Sequence, residues 1–137
     1  MAYDPQPGDA LLIASGPQDD PDRKHLFVII TSVDEDGNLG MVSISTIREG
    51  QSYDDACTLQ PGDHPFIKAP SFVAYRTAQQ HQVRVVAKCV DGFLYQRKEA
   101  VSAVVLQRIE HGALVSRFIP RYMRAFVQGY ITWRDGI

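Results

Sequence analysis

Two cysteines in 137 residues are too few for a disulfide framework, and Cys57 and Cys89 stand at neither a metal-binding nor a redox spacing. A cytosolic protein with reduced thiols is the expectation. No apolar run approaches the ~20 residues that cross a bilayer. The opening Met-Ala-Tyr-Asp-Pro-Gln-Pro has no basic region followed by an apolar one, so neither a secretory signal nor a membrane partner is expected. The four histidines show no paired helical spacing, which argues against a metal centre. A glycine-rich phosphate loop and a nucleophile elbow are missing as well, and no cofactor is expected. Internal repeats and low-complexity segments are also absent. What is present is ordinary for one globular domain: 45% hydrophobic and 22% charged residues, on a chain long enough to bury a normal core.

Charge is unevenly spread along the chain. Residues 1–60 carry three basic and eleven acidic side chains, a balance of −8, and residues 61–137 carry eleven basic and five acidic ones, a balance of +6. Either the basic half meets an acidic partner such as nucleic acid, or the two halves face each other and offset their charges within the fold.

The first two thirds of the chain read as short strands. Ala10–Ala14 is a buried strand, and His25–Thr31 is a continuous apolar run of the kind covered on both faces. A turn at Asp34–Asn38 leads to Leu39–Ser45, where Val42 and Ile44 alternate with Met41, Ser43 and Ser45. Strands are also expected at Ala56–Leu59, Phe72–Tyr75 and Gln82–Lys88, the last with Arg84 facing solvent or ligand. The period then changes. Ser102 is placed to cap a helix bearing Val104, Val105, Leu106 and Ile109, with Gly112 ending or weakening it. Pro120 opens a second helix through Tyr122, Met123, Phe126 and Val127, followed by the tail to Ile137. Strands first and helices last predict a mainly β, α+β domain: a small β-barrel over about 8–88 and a helical part over about 100–133.

Cys57 to Arg76 stands out within this pattern. A Pro61-Gly62-Asp63 turn presents His64, and Pro65 restricts that histidine to extended geometry. A loop so stiffened is a place to hold a functional group, and His64 is expected on the functional surface. The competing reading is a stiff connector whose histidine bonds a neighbouring carbonyl.

Three stretches resemble the PemK/MazF toxin family. They are Pro7-Gly8-Asp9 before an apolar strand, Arg23-Lys24-His25 leading into a hydrophobic strand, and Val42-Ser-Ile-Ser-Thr46 ending in adjacent hydroxyls. The resemblance covers about residues 7–87. It implies an SH3-like barrel, a dimeric endoribonuclease that cleaves single-stranded RNA without a metal, and neutralisation by an antitoxin protein. Where family nucleases carry an acidic residue beside an arginine, Ser71–Thr77 has Arg76 and no carboxylate. That departure favours the alternative, a non-catalytic SH3-like binding or regulatory module; a gyrase-directed toxin on the same scaffold is a third reading.

Metal-independent RNA cleavage needs proton carriers near neutrality and cations for the phosphorane charge, roles that suit histidine and arginine. His64, His25 and Arg76 form the expected catalytic set. Arg23, Lys24, Ser45, Thr46, Tyr75 and Arg84 are the expected substrate contacts, with Tyr75 standing in for the missing carboxylate. Against this, His25 with Arg23 and Lys24 could be a strand-edge basic cluster, Ser45 and Thr46 polar-face residues, and Arg76 a solvated strand-end charge.

Overall fold

Apolar alternation builds the sheet, and its two faces decide where the helices go. The computed structural model describes residues 2–136; Met1 and Ile137, the end of the expected tail, lie outside the described residues. The strands are β1 (Ala10–Ala14), β2 (Lys24–Ile29), β3 (Asn38–Thr46), β4 (Thr58–Leu59), β5 (Ser71–Gln82) and β6 (Gln96–Lys98). The helices are α1 (Val83–Asp91), α2 (Ala103–Val115) and α3 (Arg121–Asp135). All strand pairs are antiparallel, in the order β4-β5-β3-β2-β1-β6, and the sheet curls into a half-barrel. The expected class, a mainly β α+β fold with C-terminal helices, is the observed one.

On one face Leu26, Val28, Val42, Ile44 and Val73 meet Val105, Ile109 and Ala113 of α2 and Met123 and Val127 of α3. On the other, Leu11, Ile29, Leu39 and Met41 pack with Val86 of α1 and with Tyr3 from the segment before β1. β2 therefore has cover on both sides, as its unbroken apolar run requires. Each such side chain, fully buried, contributes about 1.5–3 kcal/mol.

Gln82–Lys88 is a correction. The alternation of Val83 and Val85 reads as a strand, but Val83, Val86 and Val90 lie on one side of α1 and join the second core cluster, while Val85 is exposed. Burying three residues at helical spacing outweighs the modest β preference of valine. The sheet's last strand is instead β6, which pairs with β1 through Ala10↔Lys98 and Leu12↔Gln96.

β5 bends sharply against β3. The register passes from Met41↔Gln79 to Ser43↔Ala74, so three extra residues bulge on β5. Both Tyr75 and Ala78 thereby turn into the helix-covered core. The Tyr75 hydroxyl donates to the Ile109 carbonyl of α2 at 2.6 Å. Gly112 passes directly over that hydroxyl: a Cβ there would lie 2.2 Å from it and 2.9 Å from the Cys57 Cβ. Gly112 does not end α2, which runs on to Val115; it is the residue that lets the helix sit this low. Ser102 caps α2 as expected, its side chain accepting from the Val105 N–H at 3.1 Å, and Pro120 is the N-cap of α3.

Gly112→Ala tests this contact. Alanine gains about 1 kcal/mol of helix propensity, but overpacking costs ~1–3 kcal/mol and displaces a buried hydrogen bond worth about 1 kcal/mol. Urea unfolding should show a net loss; a variant as stable as the parent would mean that α2 rides higher than described.

Candidate functional site

Strand register brings together residues that the sequence keeps apart. Leu26 pairs with Ile44, which sets His25 beside Ser45 one step along, and Ser45 pairs with Phe72. These three side chains project from one face, because β-strand side chains alternate. Around them a pocket of about 180 Å³ opens, with Arg23, His25, Ser45, Thr46, Arg48, Gln51, Ser52, Tyr53 and Phe72 in its wall.

Two loops place its cations. In the β1–β2 loop, Ser15 N–H donates to the Arg23 carbonyl at 2.8 Å and Asp20 N–H to Pro17 at 2.8 Å. Gly16 is needed for that fold-back, since a Cβ there would lie 1.9 Å from the Asp20 carbonyl oxygen and 2.5 Å from the Arg23 Cβ. The loop after β3 turns between Arg48 and Gln51, whose N–H donates to the Arg48 carbonyl at 3.2 Å. Its far end is pinned by buried Asp54, which accepts from Ala56 N–H at 3.0 Å and from the Ser116 hydroxyl at 2.6 Å. Tyr53, next to that anchor, tilts over Phe72 with ring centroids 5.5 Å apart and is 41% exposed.

His25 is the titratable group of this pocket. Its Nδ1 lies 2.9 Å from Ser15 Oγ, which itself reaches the Ile13 carbonyl at 3.3 Å. With the hydroxyl proton on Ile13, Nδ1–H donates to Ser15 and Nε2 keeps its lone pair. Partial burial, then the guanidinium groups of Arg23 and Arg48, hold the ring's pKa below the ordinary histidine value. A neutral imidazole beside two arginines and two hydroxyls can accept a proton while the cations hold an anion.

Of the expected site residues, Arg23, His25, Ser45 and Thr46 converge here; the rest lie elsewhere. Lys24 is exposed on the opposite side of β2 from His25. Tyr75 is fully buried on Ile109, and burial pushes its phenol far above its usual range, so it carries no proton for a substrate. Arg76 sits in the β5 bulge with its guanidinium 4.8 Å from the centroid of the Phe118 ring. Arg84 lies two residues past Gln82, which pairs with Asn38 at the other end of β3 from Thr46, about 27 Å away along the strand.

His64 departs furthest from expectation. It is 3% exposed. Its Nδ1 accepts from Phe66 N–H at 3.0 Å, so the ring proton is on Nε2, which donates to the Glu99 carbonyl at 2.5 Å. The expected turn is there, with Asp63 N–H on the Gln60 carbonyl at 3.0 Å. What the stiff loop holds is a latch: His64 follows β4 and Glu99 follows β6, the two edges of the half-barrel. The connector reading is the one that the geometry supports.

Arg48, Tyr53 and Phe72 were not singled out from the sequence. The available signal is a basic and an aromatic residue in the connection leaving the hydroxyl-bearing strand. Mutual charge offset between the halves is not built from direct ion pairs either. Among the described residues the salt bridges are Arg108–Asp63, Arg134–Glu110 and Arg134–Asp135, all within residues 61–137. No protein-family model matches the chain, and no curated protein matches it.

Two measurements check this geometry. His64→Ala empties a buried site and removes two part-buried hydrogen bonds, to the Phe66 N–H and the Glu99 carbonyl, an expected loss of about 2 kcal/mol, or a Tm fall of about 4–8 °C for a chain of this size; an unchanged Tm would place the ring outside the seam. Arg48→Gln removes a cation from His25, so its imidazole should titrate at higher pH by NMR. An unmoved His25 titration would put Arg48 outside the pocket.

Proposed function

We propose that the pocket around His25 binds single-stranded RNA at a phosphate and cleaves it without a metal, as the PemK/MazF resemblance implies for a toxin held in check by an antitoxin. The observation that supports this reading is the meeting of a neutral, pKa-lowered histidine with two arginines, two hydroxyl residues and an aromatic pair in one pocket wall. In this reading Arg23 and Arg48 hold the non-bridging oxygens, and Ser45, on the His25 face of the sheet, fixes their orientation. His25 Nε2 takes the 2′-hydroxyl proton, the P–O2′ bond forms, and the P–O5′ bond breaks. The 5′-oxygen takes a proton from water at the open mouth, leaving a 2′,3′-cyclic phosphate. Tyr53 gives a base a face to stack on.

One observation favours the second reading, an RNA-binding module without turnover. The pocket wall holds His25 but no carboxylate and no second histidine to protonate the leaving oxygen. The flanking Asp19, Asp20, Asp22 and Glu49 also weaken long-range attraction of RNA, so binding rests on close contact.

Incubating purified protein with single-stranded RNA in chelator decides between them. Cleavage should leave 2′,3′-cyclic phosphate ends, and activity should rise with pH through a His25 pKa lying below the usual histidine value, because only the neutral ring accepts a proton. His25→Ala should abolish cleavage while sparing binding. With one phosphate held between the two arginines the salt slope of binding should be about −0.7, and replacing both Arg23 and Arg48 by Gln should remove most of it. Binding with no cyclic product would leave the module; absence of binding at low salt would end both readings.

A further inference from the structure

α3 contains a glycine that nothing inside the protein explains. Glycine is the poorest helix former after proline, and in α2 its presence is repaid by the pass over Tyr75. At Gly129, mid-way along α3, an added Cβ would meet no atom within 4 Å. The space it leaves open belongs to a groove of about 620 Å³ between α3 and the β2–β3 connection, walled by Phe126, Tyr130 and Trp133 on one side and Asp34 and Glu35 on the other. Trp133 in its wall is 73% exposed. Phe126, Gly129, Tyr130 and Trp133 repeat at helical spacing and run about 10 Å along the helix. Exposed Tyr122 and Ala125 extend the strip toward the start of α3.

The charged residues in the groove wall, Asp34 and Glu35, are of one sign. Asp34 spends Oδ1 on the Asp36 and Asn38 N–H groups at 3.0 and 2.9 Å, and Glu35 and Asp36 are exposed in the same turn. On α3, Arg134 lies over the Tyr130 ring, 5.4 Å from its centroid, and is paired with Glu110 at 2.7 Å and Asp135 at 2.9 Å. An elongated aromatic strip with an acidic rim complements a polypeptide segment that carries lysine or arginine next to an apolar anchor. The cation would lie over the exposed Trp133 face and against the carboxylates, with the anchor in the space above Gly129.

We propose that this groove is a docking site for a basic, apolar-anchored segment of another protein. It lies at the opposite end of β2 from the His25 pocket and does not depend on the chemistry proposed there.

Trp133 is the only tryptophan in the chain, so its emission reports occupancy directly. The full chain is titrated with a 14-residue Leu-Lys-Lys-Leu-repeat peptide and with its Leu-Glu-Glu-Leu counterpart. The lysine peptide should produce a saturable blue shift and the glutamate peptide none. Glu35→Lys, a change in an exposed turn, should weaken binding at least tenfold. Gly129→Leu should abolish it while leaving Tm at or above that of the parent, because the new side chain meets open space. No shift with the lysine peptide overturns the proposal, as does equal binding of the acidic peptide or binding that survives both variants. A blue shift that grows with protein concentration alone, together with a dimer mass in sedimentation, would assign the groove to a second copy and overturn it too.

Discussion

The contact between Tyr75 and α2 is the constraint from which most of the architecture follows. A tyrosine on a β-bulge donates its hydroxyl to the Ile109 carbonyl, and the helix comes close enough only because Gly112 has no side chain. With α2 set at that height, Ile109 and Ala113 reach Val73 and Val42, and α3 fills the remaining width with Met123 and Val127. The hydroxyl costs little here because it is paired; buried without a partner it would cost about 1–3 kcal/mol. The bulge matters as much as the bond, since a regular β5 would have turned Tyr75 and Ala78 to opposite faces.

With one face under α2 and α3 and the other partly under α1, the sheet has limited room for a site. α1 covers the end of the second face where β5 terminates, near Leu39 and Met41. The same face at the other end, past Ser43, has no helix over it and carries His25, Ser45 and Phe72. The pocket is thus what the second face becomes once its cover runs out. Its floor is sheet, which is rigid, while its arginines come from loops that are folded back and pinned at Gly16 and Asp54. Such a division, a stiff base with charges brought in by short tied loops, keeps cations near one another that would otherwise separate.

How far the sequence discloses this varies with the kind of information. β1 was expected at Ala10–Ala14 and is found there, and the Ser102 cap is where the pattern puts it, because local propensity and tertiary demand agree. At Val83–Val90 they disagree, and packing decides. Around His64 the turn chemistry is legible, while the direction of the ring is not. Proline and glycine reveal that a backbone is held, but whether the held side chain faces solvent or a neighbouring strand depends on what lies across the seam, and Glu99 is 35 residues away. Half of the pocket was legible for a related reason. Arg23, His25, Ser45 and Thr46 flank adjacent antiparallel strands, so a strand-level reading already brings them close. Arg48 and Tyr53 arrive through a loop whose path is set by Asp54 meeting Ser116, a contact spanning 62 residues.

The chain's charge asymmetry takes on a different sense in three dimensions. It looked like a division between an acidic body and a basic tail, yet the cations around His25 come from the acidic half. The acidic Asp34–Asp36 turn lies at the far end of β2, about 25 Å from Arg23 along the strand. That distance is some three Debye lengths at physiological salt, so exposed charges at the two ends hardly sense each other. What matters chemically is the local sign: a pocket whose lining charges are cationic at one end of β2, an acidic-rimmed aromatic groove at the other. Net charge by segment averages over both, which is why it pointed to the basic C-terminal half, while the arginines gathered against a neutral histidine come from the acidic one.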